Sequence, residues 1–74
     1  MENKTNINKI LGERLLQLRG DKSLREIAAN VGISYQALNF YENSKRDPSV
    51  WVAKKLADYY KVSVDYLIGT SDKR

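Results

Sequence analysis

The stretch Ser34 to Pro48, SYQALNFYENSKRDP, holds the residues whose types and spacing could do chemistry. Gln36 and Asn39 stand three apart, so on a helix their side-chain amides share a face. An amide presents a donor and an acceptor in one plane, and that edge can pair bidentately with N6 and N7 of adenine in a major groove. The same amides would serve equally as solvated groups on an exposed helix. Tyr35 and Phe40 flank them. Phe40 projects about 100° from Tyr41 on a helix, so with Leu38 and Tyr41 facing a core it should be exposed, where it can cover a thymine methyl. Tyr35 can do the same or set its hydroxyl on a phosphate. Partial burial is the alternative for both rings. Positive charge arrives only at Lys45 and Arg46, where a loop could grip a phosphate backbone without reading bases.

The rest of the composition narrows the field. The chain of 74 residues has no cysteine and no histidine. That removes disulfides, thiolate or imidazole metal sites, Cys or Ser-His nucleophiles and the usual neutral-pH proton shuttle. The acids Glu13, Asp21 and Asp58 are scattered, with no partner at catalytic spacing and no phosphate-cradling glycine loop, so no enzyme, cofactor or metal is expected. With 42% hydrophobic and 30% charged residues the chain is globular, and no apolar run approaches the roughly 20 residues of a membrane span. The start MENKTNINK lacks the apolar stretch of a signal peptide, so a cytoplasmic location is expected. The net charge of +4 suits an anionic partner, though many soluble proteins match it.

The elements that must position these residues are helical almost throughout. Ile7, Ile10, Leu11, Leu15 and Leu18 recur at three- and four-residue steps and predict a helix over 7–19, capped by Asn6, stopped by Gly20 and leaving Leu16 partly exposed. Ser23 with Glu26 three residues on is a capping-box signature for a helix over 24–31. Gly32 supplies a turn and Ser34 a new cap, giving a helix over 35–43. Pro48 and Ser49 precede a helix over 50–60, with Val50, Ala53, Leu56, Ala57 and Tyr60 as its buried stripe. A last short helix follows Ser63, carries Val64, Leu67 and Ile68, and ends at Gly69. One domain over 7–69 is expected, between a flexible segment 1–6 and a disordered tail 70–74. A core of this size gives marginal stability, which keeps a dimer in view.

Within LREIAANVGISYQALNFYEN, apolar residues fall at Ile27, Val31, Ile33, Leu38 and Tyr41, a small residue at Ala28 and glycine at Gly32. That spacing describes two helices at a steep angle joined by a short turn. The flanks GERLLQLR and YENSKRDPS, with the ending VSVDYLIG, resemble the Cro/repressor-type (XRE-like) helix-turn-helix family across roughly residues 10 to 69. The resemblance implies an all-α, five-helix, lambda-repressor-like DNA-binding domain whose helix-turn-helix is formed by helices two and three. It also departs from the family's pattern. RGDKSLREIA is about two residues short, and Leu24 stands where many members grip a phosphate with glutamine. Ser44 replaces the glycine common after helix three, so Asn43 is expected to take the left-handed conformation.

The resemblance implies roles residue by residue. Tyr35, Gln36, Asn39 and Phe40 would meet bases, and Ser34, Asn43, Ser44, Lys45 and Arg46 would meet the backbone. Glu42, which phosphates would repel, would turn inward to pair with Arg19 as a structural ion pair. Trp51, Val52, Tyr59 and Tyr66 exceed what the buried stripes need, and a dimer contact at Tyr66 and the Gly69 region is expected. The expected function is a transcriptional regulator, a repressor binding double-stranded DNA as a homodimer on an inverted repeat. A·T pairs are expected within each half-site. The competing class is a helical protein-interaction module that keeps the fold without a DNA site.

Overall fold

Four helices in this chain begin at a serine, because each serine hydroxyl can accept from a backbone amide that the first helical turn leaves without a partner. In the computed structural model, which describes the backbone from Glu2 to Arg74 and the side chains from Lys9 onward, α1 spans Glu2–Arg19, α2 Leu24–Val31, α3 Tyr35–Glu42, α4 Val50–Tyr60 and α5 Val64–Ile68. The Oγ atoms of Ser23, Ser34, Ser49 and Ser63 accept from the amides of Glu26, Ala37, Val52 and Tyr66 at 3.3, 3.1, 3.2 and 3.0 Å. The described residues form no strand.

The ends of α2 to α5 are equally regular. Each stops at a residue with positive φ: Gly32 at 91°, Ser44 at 61°, Lys61 at 59° and Gly69 at 88°. At the end of α3 the Lys45 amide donates to the Phe40 carbonyl at 2.8 Å and the Ser44 amide to the Tyr41 carbonyl at 3.2 Å. This is the Schellman pattern, and it satisfies carbonyls the helix leaves open. Asn43, expected to be left-handed, has φ −97° instead. The left-handed residue is Ser44, because the pattern needs that conformation at the residue whose amide bonds back to Tyr41.

The core joins the helices through Leu11, Leu15, Ile27, Ala28, Leu38, Tyr41, Leu56, Ala57 and Leu67. Helix α1 packs on α3 and α5, α2 on α3 and α4, and α4 on α5. The approach of α1 to the end of α3 depends on Gly12. A Cβ there would stand 2.7 Å from the Glu42 carbonyl oxygen and 2.8 Å from Ser44 Oγ, so only glycine lets the two backbones come this close.

Two expectations about the elements change. The backbone of α1 is helical from Glu2, so Asn6 lies inside the helix rather than at its start. Of the segment 1–6, expected to be flexible, Met1 lies outside the described residues, as do the side chains of 2–8. Val50, placed in the buried stripe of α4, is 80% exposed; the first turn meets the core through Val52, and the fully buried residues are Ala53, Leu56 and Ala57. The tail 70–74, expected to be disordered, lies back against α1 and the start of α5. Arg14 donates to the carbonyls of Tyr66 and Ser71 and pairs with Asp72 at 3.1 Å, and the Ser63 amide donates to the Arg74 carbonyl at 3.1 Å.

Candidate nucleic-acid interface

Helix α3 is fixed from behind and open in front. Leu38 and Tyr41 are buried, and so is Glu42, whose carboxylate takes a hydrogen bond from Arg19 Nε at 2.8 Å. The Glu42 side chain is only 2% exposed, and a carboxylate that deep requires such a partner. Arg19 also donates to the Lys22 carbonyl at 3.0 Å, tying the end of α1 to the link before α2. Tyr60 lies near the same pair. Burial, and then the Glu42 charge, push its phenol up to about 12, and its hydroxyl is buried with no hydrogen-bond partner among the described residues.

The open face carries Tyr35, Gln36, Asn39 and Phe40, all exposed. Two features there were not legible in the sequence. The Arg25 guanidinium, from the first turn of α2, lies 4.2 Å from the centroid of the Tyr35 ring, and the Arg46 guanidinium lies 5.2 Å from that of Phe40. Both distances fall within the range of cation–π attraction. Each aromatic flanking the amide pair therefore carries an arginine. Tyr35 and Arg25 are separated by the turn at Gly32, and only its geometry brings them together.

Asn39 and Asn43 form a unit of their own. The Asn43 amide donates to Asn39 Oδ1 at 2.9 Å and to the Asn39 carbonyl at 2.8 Å. Both bonds engage the Asn43 side-chain nitrogen within the last turn of α3. Asn43, expected on the DNA backbone, is exposed at the end of α3 and holds the Asn39 side chain. Asn39 keeps its own NH₂ donors and one acceptor lone pair. Ser34 serves as the cap of α3, Ser44 forms the left-handed turn, and Lys45 and Arg46 are exposed on the loop that follows. Leu24, at the position of the missing glutamine, packs against the core.

Of the residues expected at a dimer contact, Tyr66 is buried and Gly69 half-buried. Tyr66 is 7% exposed, because the Arg14 guanidinium covers its ring at 4.2 Å and Arg74 approaches it at 5.4 Å. Gly69 closes α5 against Ile10, which a Cβ would meet at 2.8 Å. The most exposed large apolar side chains among the described residues are Trp51, 78% exposed, and Val50 beside it. Val50 lines a hollow of about 260 Å³ together with Leu11, Pro48, Ala53, Val64 and Ile68. Among the described residues no group of acids is placed to hold a metal, and no helix is long and apolar enough to cross a membrane.

An eight-residue helix, a three-residue turn containing a left-handed glycine, and a second eight-residue helix with its outer face open define a helix-turn-helix module. The chain matches the family model described as Helix-turn-helix over residues 13–67. It belongs to the helix-turn-helix family, of the Cro/repressor (XRE-like) type, and its five helices form the lambda-repressor-like arrangement. Among curated proteins it is similar to the HTH-type transcriptional regulator ImmR of Bacillus subtilis (strain 168), with 36% identity over 64 residues, covering 84% of this chain and 50% of the relative. The chain thus spans about half the length of that relative. No solved structure matches it significantly.

Proposed function

We propose that the protein is a sequence-specific double-stranded DNA-binding regulator of transcription, acting as a repressor and as a homodimer on an inverted repeat. The observation that carries the reading is the split character of α3. Its inner face is locked by Leu38, Tyr41 and the Arg19–Glu42 pair, while its outer face offers exposed amides and aromatics. In this architecture the second helix lies in the major groove, with its N-terminal residues nearest the base edges. Gln36 then pairs with adenine and Asn39 reads a neighbouring step. Phe40 meets a thymine methyl, and the exposed edge of Tyr35 adjoins the same groove. Ser34, Asn43, Ser44, Lys45 and Arg46 follow the backbone. Half-sites lie about 10 bp apart, centre to centre, on one face of the duplex.

The dimer contact belongs on the exposed side of the first turn of α4. Val50 and Trp51 are apolar, exposed and beside the hollow that Val50 lines. A two-fold axis through that face lets each copy's Trp51 meet the other's hollow, which is how an isologous contact is built.

Selection of bound sequences from a random duplex pool, followed by titration of wild-type and Gln36→Ala proteins, tests the reading. Gln36→Ala should weaken the selected site by about 1–3 kcal/mol and leave scrambled duplex nearly unchanged. Equal loss on both, or half-sites made only of G·C pairs, would contradict the base assignments. A protein with no duplex binding at low salt would instead be the interaction module.

A further inference from the structure

Arg25 stands apart from the basic side chains whose charge is answered inside the chain. Arg14 meets Asp72, Arg19 meets Glu42, and Lys54 meets Asp58. Arg25 is exposed, has no carboxylate partner among the described residues, and rests with its guanidinium 4.2 Å from the Tyr35 ring centroid. An exposed arginine free of ion pairs normally samples many rotamers. Here an aromatic face at the start of the reading helix restricts it, while its five donors stay available at the rim of the stack.

Its place in the fold decides what those donors meet. Arg25 is on α2, the helix that crosses the sugar–phosphate backbone when α3 enters the groove. Arg46, stacked on Phe40, holds a matching place at the far end of α3. The two stacks therefore bracket Gln36 and Asn39, with one guanidinium at each end.

We propose that Arg25 is a phosphate-contacting residue of the DNA interface, and that Tyr35 is its positioning residue. The proposal rests on the DNA reading above and adds to it a grip at the N-terminal end of α3. Planar guanidinium suits phosphate oxygens bidentately, and the stack lowers the ordering cost of making that contact. Tyr35 therefore contributes chiefly through its ring.

The test measures binding of wild-type, Arg25→Ala, Arg25→Lys, Tyr35→Phe, Tyr35→Ser and Arg25→Ala/Tyr35→Ser proteins to a selected duplex and a scrambled duplex across a salt series. Arg25→Ala should weaken both duplexes by the same factor, on the order of tenfold, and reduce the salt slope by about 1. Arg25→Lys should restore the slope but only part of the affinity, since the fork and the stack are lost. Tyr35→Phe should keep both. Tyr35→Ser should weaken binding, and the double variant should be less than about twofold weaker than the worse single variant, because each change removes the same arrangement.

Unchanged affinity and slope in Arg25→Ala, with wild type binding normally, overturns the proposal alone. A changed base preference in that variant overturns the phosphate assignment, and independent, multiplying losses overturn the positioning role of Tyr35. Failure of the wild type to bind either duplex overturns the DNA reading and this inference with it. Both side chains are exposed, so unchanged thermal unfolding is expected and separates binding loss from misfolding.

Discussion

Gly12 and Glu42 stand so close that a single methyl group on Gly12 would lie 2.7 Å from the Glu42 carbonyl oxygen. That oxygen belongs to the backbone at the end of α3 and cannot turn away as a side chain could. Gly12→Ala would gain about 1 kcal/mol of helix propensity elsewhere, but here it forces α1 and α3 apart. A net destabilisation of about 1–3 kcal/mol is expected by urea unfolding. A stabilised variant would show that the two helices separate freely.

The Arg19–Glu42 pair fixes the same end of α3 by charge. Arg19→Ala strands a buried carboxylate, and breaking a buried pair costs about 3–5 kcal/mol. The Arg19 side chain is 24% exposed, so the loss should fall near the lower end of that range. In a domain of this size this lowers Tm by about 10 °C or more. Glu42→Gln keeps an acceptor for Arg19 without the charge and should be milder. Equal losses in the two variants would show that the stranded charge is not the main cost.

Tyr60 sets a limit at high pH. Its folded-state value of about 12 lies above the ordinary tyrosine value of 10.0, so between those values the unfolded chain has lost a proton that the folded chain retains. Stability therefore falls as pH rises through that window. Tyr60→Phe removes this dependence. Because the hydroxyl is buried without a partner among the described residues, the variant should also be as stable as wild type at pH 7, or more so. Thermal unfolding at pH 7 and at pH 10.5 gives both answers, and a marked loss at pH 7 would mean that the hydroxyl is bonded after all.

Trp51 tests the proposed dimer contact on α4. Trp51→Ser should move the protein toward monomer in sedimentation equilibrium. It should weaken binding to an inverted repeat while leaving a single half-site unaffected. Because the side chain is 78% exposed, the fold should survive the change. A variant that remains as dimeric as wild type would place the contact elsewhere.

Much of this architecture was legible because its signals are local. Ser23, Ser34, Ser49 and Ser63 mark helix starts within four residues of the amides they cap, and the buried positions of α2 and α3 follow helical spacing. What failed was set by distant residues. Tyr66 looked like a surplus aromatic on α5, but Arg14 lies above its ring from α1, 52 positions away in the chain. Val50 fits the periodicity of α4, yet periodicity says nothing about whether a neighbour covers the first turn. The Arg25–Tyr35 stack was hidden for the same reason, since it depends on the angle between two helices. At the site, residue types indicated which side chains face outward, whereas the pairings of Asn43 with Asn39 and of Arg46 with Phe40 needed coordinates.

The serine starts and left-handed stops have a consequence for how quickly the chain finds this arrangement. Each of α2 to α5 carries its boundaries within its own few residues, so a helix can form with correct ends before its packing partners arrive. Mostly local structure of this kind belongs to the topologies that fold in microseconds to milliseconds. A stopped-flow trace should then show a single rapid phase, with no slow step awaiting long-range pairing.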